Sequence, residues 1–94
     1  MITLKAKLHL YKNVRNTPFQ SGYRPAFDFG KDNFTSGRIL LEANKELFYP
    51  GETDTVEINF LFPEFLGEIN NGEKVFFYEG SHRVGEIEII SLEI

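Results

Sequence analysis

Ile2, Leu4, Ala6, Leu8 and Leu10 alternate without a break with Thr3, Lys5, Lys7, His9 and Tyr11. A period of two sends successive side chains to opposite faces of an extended chain, so the stretch predicts a strand with one face buried and one wet. A slip of one residue would turn the whole apolar set toward water, which nearly fixes the register. The same period returns downstream. Val56, Ile58, Phe60 and Phe62 are expected on one face of a strand, and Val75 and Phe77 face inward in another. In the last strand, from about Val84, Ile87 and Ile89 alternate with Glu86 and Glu88, whereas Ile90, Leu92 and Ile94 have the other parity. That change of parity predicts a bulge or bend near Ile89.

Turn formers separate these segments. Residues 12 to 22 (KNVRNTPFQSG) read as a long polar loop, and a second strand is expected at about Tyr23 to Phe29, with Pro25 marking an edge or the strand start. Ser36-Gly37 opens a third strand through Ile39 and Leu41. Pro50-Gly51, Asn71-Gly72 and Glu79-Gly80 mark reversals between the later strands. No stretch carries a helical period, and residues 63 to 69 (PEFLGEI) have room for one short helical turn at most. Six strands result. A barrel and a sandwich both fit, and a closed antiparallel barrel is favoured because an open sheet of this size leaves two edges unprotected.

A chain of 94 residues supports one core, so residues 1 to 94 are expected to form a single domain. A hydrophobic share of 41%, with ten Phe and four Tyr, supplies that core and argues against disorder. With no cysteine and two scattered histidines, the sequence offers neither a disulfide nor a thiolate or zinc site, and no metal or cofactor is expected. The first ten residues lack the continuous apolar stretch of a signal peptide and no run is long enough for a membrane span, so the expectation is a cytoplasmic protein with no membrane contact. Asn33-Phe34-Thr35 matches a glycosylation sequon that a cytoplasmic chain would not use. The net charge of −4 is uneven: residues 1 to 41 sum to +5 and residues 42 to 94 to −9, which permits a basic face on an acidic protein.

The segments GYRPAFDF (22 to 29), TSGRI (35 to 39), PGE (50 to 52) and FYEGSHRVGEI (77 to 87) stand in the order seen in the C-terminal barrel of the translation elongation factor Tu family. The chain resembles that barrel over nearly its whole length. The resemblance implies a six-stranded antiparallel closed barrel. Its family role is to contact the T-arm backbone of aminoacyl-tRNA and to pack against a middle barrel and a GTPase domain. No G-x-x-x-x-G-K-[ST] loop is present, since Lys31 is followed by Asp32 and Pro25 stands where the first glycine belongs, so a stand-alone barrel that neither binds nor hydrolyses GTP is expected. The family's hairpin motif R-E-G-G-R-T-V-G appears as Tyr78, Glu79, Gly80, Ser81, His82, Arg83, Val84 and Gly85. Ala26 replaces the glutamine that follows YRP, and Ile87 replaces a second glycine.

Carried over by this resemblance, the RNA-facing candidates are Arg15, Asn16, Tyr23, Arg24, Glu79, Gly80, His82 and Arg83. Their bland reading is a set of solvated charges, with Arg24 paired to an acidic neighbour and Gly80 serving only the turn. Glu86 and Glu88 are expected to face solvent and to pair with Lys5 and Lys7. A second candidate surface is apolar: Phe48, Tyr49, Phe62, Phe65 and Leu66 exceed what six short strands need inside, so part of this set is expected either as core or as a protein interface. His9 and His82 have no nucleophile or carboxylate at diagnostic spacing, so no catalytic residue is assigned. The sequence thus predicts a noncatalytic binding module that engages a protein partner, a second copy or the translation apparatus. The alternative is a module that binds tRNA or other RNA.

Overall fold

In the computed structural model, which describes residues 2 to 30, 34 to 62, 64 and 66 to 93, the alternating N-terminal segment forms strand β1, Ile2–Leu10. Leu4, Ala6, Leu8 and Leu10 are wholly buried, as the period requires. Six more strands follow: β2 Ala26–Asp28, β3 Phe34–Ser36, β4 Arg38–Leu40, β5 Thr53–Phe60, β6 Lys74–Glu79 and β7 His82–Glu93. They make one antiparallel sheet in the order β3-β2-β6-β7-β1-β5-β4. Among the described residues, no helix is long and apolar enough to cross a membrane. Phe65 and the sequon residue Asn33 lie outside the described residues.

The two outermost strands of that order, β3 and β4, are neighbours in sequence, joined through Gly37 alone. The amide of Gly37 donates to Pro25 O (3.2 Å), Ile39 N to Tyr23 O (2.8 Å) and Gly22 N to Ile39 O (2.8 Å). Backbone pairing thus runs on from β2 and β3 into β4, and the all-β sheet curls into a barrel. The third strand, expected to open at Ser36-Gly37, is β4, and a short strand that was not expected, β3, precedes it with a break at Gly37, which is why seven elements appear where six were predicted. The break has a steric cause: a Cβ on Gly37 would lie 2.6 Å from the Phe60 ring and 2.7 Å from Ile58 Cγ2. Only glycine lets the chain turn this corner against the core. The second strand is also shorter than its expected Tyr23 to Phe29, because Pro25 has no amide to donate.

The predicted bulge is present. Lys5 pairs with Ser91 and Ala6 with Ile89, leaving Ile90 as the extra residue that moves β7 from one parity to the other. Beyond it, Leu92 lies opposite Leu4. A second bulge was not foreseen: Phe77 pairs with Gly85 and Tyr78 with Arg83, so Val84 is extra and both Val84 and Gly85 are buried. The barrel interior is aromatic at its centre. Phe27 meets Phe60 edge-on at 5.4 Å and Phe77 at 5.5 Å, a geometry that favours ring pairs beyond their area burial.

Two expectations for the apolar surface are corrected here. Phe48 is wholly buried and Leu66 is 2% exposed, so neither belongs to an interface. Phe48 stacks on Phe19 at 5.1 Å and exchanges two backbone hydrogen bonds with it, Phe19 N to Phe48 O (3.0 Å) and Phe48 N to Phe19 O (2.8 Å). That staple pins the long loop after β1 across the barrel wall. Phe62, expected to share the inward face of β5, is 55% exposed because the strand ends at Phe60.

Candidate functional site

The residues proposed for RNA contact divide into two places. At the end of the barrel where the β6–β7 hairpin turns, Arg15, Tyr23 and Glu79 converge from three distant points in the chain. Arg15 Nη1 forms an ion pair with Glu79 Oε2, and Tyr23 Oη donates to the same oxygen at 2.6 Å. The guanidinium lies 5.1 Å from the centre of the Tyr23 ring, and its Nε donates to the carbonyl of Thr17 at 2.8 Å. Burial, and then the hydrogen bond to the Glu79 carboxylate, push the Tyr23 hydroxyl well above its ordinary range. This cluster satisfies itself. Its three members hold the loop after β1 against the hairpin, so the fold brings them together but spends them on structure. Gly80 and His82 are exposed at the hairpin tip, Gly80 with φ of 60°, and Asn16 is exposed on the loop.

Arg24, just before β2, and Arg83, whose side chain reaches from the start of β7 over β6, belong to a different surface, the outer face of β2, β3, β4 and β6. Phe27, Thr35 and Phe77 are buried and share one parity across these strands. The other parity therefore points outward: Ala26 lies opposite both Ser36 and Tyr78, and Asp28 opposite both Phe34 and Phe76. The hydrogen bonds from Gly37 to Pro25 and from Ile39 to Tyr23 bracket Arg24 and Arg38, which thus stand opposite each other on this outer face. Both are exposed, and among the described residues neither side chain has an ion pair or a hydrogen bond. Among the described residues no acidic side chain pairs with Arg24; its cross-strand neighbour is a second arginine.

Arg83 completes the face. Its guanidinium lies 3.9 Å from the centre of the Phe76 ring and 5.7 Å from that of Tyr78, and Nε and Nη2 both donate to Tyr78 Oη at 3.2 Å. The hydrogen bond to Tyr78 holds the guanidinium charged even more firmly than usual. Phe34, half exposed, meets the edge of Tyr78 at 5.4 Å. Asp28, on the same face, accepts a hydrogen bond from Gly30 N at 2.8 Å, and Glu86 of β7 stands opposite Phe76. Three arginines and three aromatic rings thus share one continuous surface. Arg38, Phe34, Phe76 and Tyr78 were not among the candidate residues. The parity of Arg38 against Ile39 placed it outside, but nothing local could place it opposite Arg24.

Elsewhere two lysines are paired, Lys45 and Lys74. Lys45 Nζ reaches Glu52 (2.6 Å) and Asp54 (3.3 Å) and lies 4.7 Å from the centre of the Phe48 ring. The hydrogen bond from Lys45 and that from the amide of Tyr49 hold the Glu52 carboxyl below its ordinary range, and this network locks the Pro50-Gly51 turn. Glu88 stands opposite Lys7, whereas Glu86 stands opposite His9, and Lys5, beyond the bulge, faces Ser91. Glu86 instead receives Lys74 (3.2 Å) and the Tyr11 hydroxyl (3.1 Å). Among the described residues, no group of three His, Asp or Glu side chains is placed to hold a metal ion. No family model matches the chain.

Proposed function

We propose that this barrel is a noncatalytic RNA-binding module of the cytoplasm, related in role to the elongation factor Tu barrel that its sequence resembles. The observation that carries the reading is the cross-strand couple Arg24 and Arg38, whose side chains have no ion pair among the described residues. Like charges directly opposite each other destabilise a sheet, and a polyanion bound across them turns that cost into attraction. Arg83 lies on the same face, so the net acidity of the chain does not describe the surface an RNA would meet. A mobility-shift titration with tRNA tests this. Two phosphate contacts, on Arg24 and Arg38, predict that affinity falls about 10-fold between 50 and 200 mM salt, and that the double variant Arg24→Gln/Arg38→Gln loses most of that dependence. No retention of tRNA at low salt overturns the proposal.

A second reading, a protein partner or a second copy of the chain, is favoured by one feature. Leu61 and Phe62 after β5 are 58% and 55% exposed, beside the strand ends that carry Ile2 and Leu92. Exposed apolar clusters of this kind mark interfaces. Tyr49, at the opposite end of β5, does not extend this patch. Light scattering across a concentration series checks self-association: a mass that doubles with concentration and stays monomeric in Leu61→Ser/Phe62→Ser supports it, and a constant monomer removes the second copy.

A further inference from the structure

We infer that the outer face of β2, β3, β4 and β6 binds single-stranded RNA, with phosphates on Arg24 and Arg38 and bases stacked on Phe34, Tyr78 and the Arg83 guanidinium. This rests on the RNA reading above and specifies its ligand.

Residues of one parity on a strand are about 6.6 Å apart and neighbouring strands about 4.8 Å apart, so the face presents charges and rings on a lattice that an extended nucleotide chain can follow. The cationic row is Arg24 and Arg38, with no carboxylate paired to either among the described residues. The aromatic row begins one strand position on, where Ala26, opposite both Ser36 and Tyr78, leaves low ground between the arginines and the rings. Phe34 is 51% exposed, far more than a ring needed for packing.

The guanidinium carbon of Arg83 lies 3.9 Å from the centre of the Phe76 ring, so a cation and a ring already share this part of the exposed face. Unstacked bases seek such planes, whereas bases inside a duplex have both faces occupied by their neighbours. An acidic peptide satisfies arginines too, but it makes no use of three flat π surfaces set among them. Among the described residues, the carboxylates nearest this face are engaged already: Asp28 accepts from the amide of Gly30, and Glu86, opposite Phe76, is held by Lys74 and the Tyr11 hydroxyl.

Fluorescence anisotropy separates these alternatives, using a labelled eight-nucleotide RNA, the same strand annealed to its complement, intact tRNA, and a polyglutamate peptide. The single strand is expected to bind at least about 10-fold more tightly than the duplex. Phe34→Ala weakens it about 10-fold with an unchanged salt slope, since stacking releases no counterions. Arg24→Gln/Arg38→Gln lowers the slope of log affinity against log salt by about 1.4. Lys5→Gln, on the far side of the barrel, changes neither quantity beyond its small share of general charge. All four proteins are first shown by circular dichroism to melt cooperatively, so that lost binding is not lost fold. Equal binding of duplex and single strand, or an inert Phe34→Ala, overturns the stacking inference and leaves RNA binding standing. Polyglutamate binding as tightly as RNA overturns it in favour of an acidic protein. Absence of binding to every RNA, tRNA included, overturns both.

Discussion

Replacing Gly85 with alanine is expected to destabilise the barrel by about 3 kcal/mol, at the upper end of what overpacking costs. A Cβ at this position would lie 2.3 Å from the Phe77 ring and 2.5 Å from the carbonyl oxygen of His9. The ring is pinned on its other side by Phe27, and the carbonyl belongs to the backbone of β1, so neither has a cheap way to move. Because a domain of this size has roughly 5–15 kcal/mol in all, the loss should be plain in a urea midpoint at unchanged slope. Shortening the ring relieves one of the two contacts. Phe77→Leu in the Gly85→Ala background should therefore recover part of the deficit, giving a coupling in a double-mutant cycle that Phe77→Leu alone does not show. A Gly85→Ala protein as stable as the parent would mean that β7 can shift away from β1, and the bulge at Val84 would be the place to look for that shift.

Phe48→Ala should cost about 3–5 kcal/mol, the range for emptying a buried phenylalanine site. Its ring stacks on Phe19 at 5.1 Å and is covered by Lys45, so truncation opens a cavity and also frees the loop that Phe19 anchors. Two readouts separate this core role from the interface role that the apolar cluster suggested. A core residue lowers the melting temperature by many degrees and leaves the solution mass alone. An interface residue would change the mass and leave the fold nearly as stable. The neighbouring Tyr49→Ala supplies the contrast: its ring is half exposed, and its loss should cost under about 0.5 kcal/mol.

The near-miss at Phe48 shows what limits a reading of sequence. Leu47, Phe48 and Tyr49 are three large side chains in a row outside any strand, and no period sorts them. Phe48 is the buried one because it forms an isolated bridge with Phe19, 29 residues earlier, and that pairing is invisible until the barrel wall exists. Phe62 fails in the opposite way. Its parity with Val56, Ile58 and Phe60 is correct for a strand, yet the strand ends before reaching it. Parity assigns a face only while the ladder continues.

The candidate site divides along the same line. Arg15, Tyr23 and Glu79 were singled out as possible contacts, and the fold does bring them together, but as an internally satisfied cluster. Arg24 was singled out as an RNA contact, with an acidic partner as its bland alternative. Its cross-strand neighbour is Arg38, and that depends on the register of two segments joined by a loop whose length does not set it. The aromatic members, Phe34, Phe76 and Tyr78, each have the outward parity of their own strand, but only the order β3-β2-β6 makes them neighbours.

What the amino-acid sequence by itself determined is local: the strand period, the buried face of β1, the turns, and the parity change that becomes the bulge at Ile90. These follow from side chains a few residues apart and from how each partitions between water and an apolar interior. Only the tertiary structure decided which strands pair, where the sheet closes, and which charges meet on its outer face. Closure rests on Gly37, whose missing Cβ matters only once Phe60 and Ile58 are packed against it. The arginine couple likewise exists only because that closure lays residue 38 beside residue 24, a contact between groups that carry no local signal of each other.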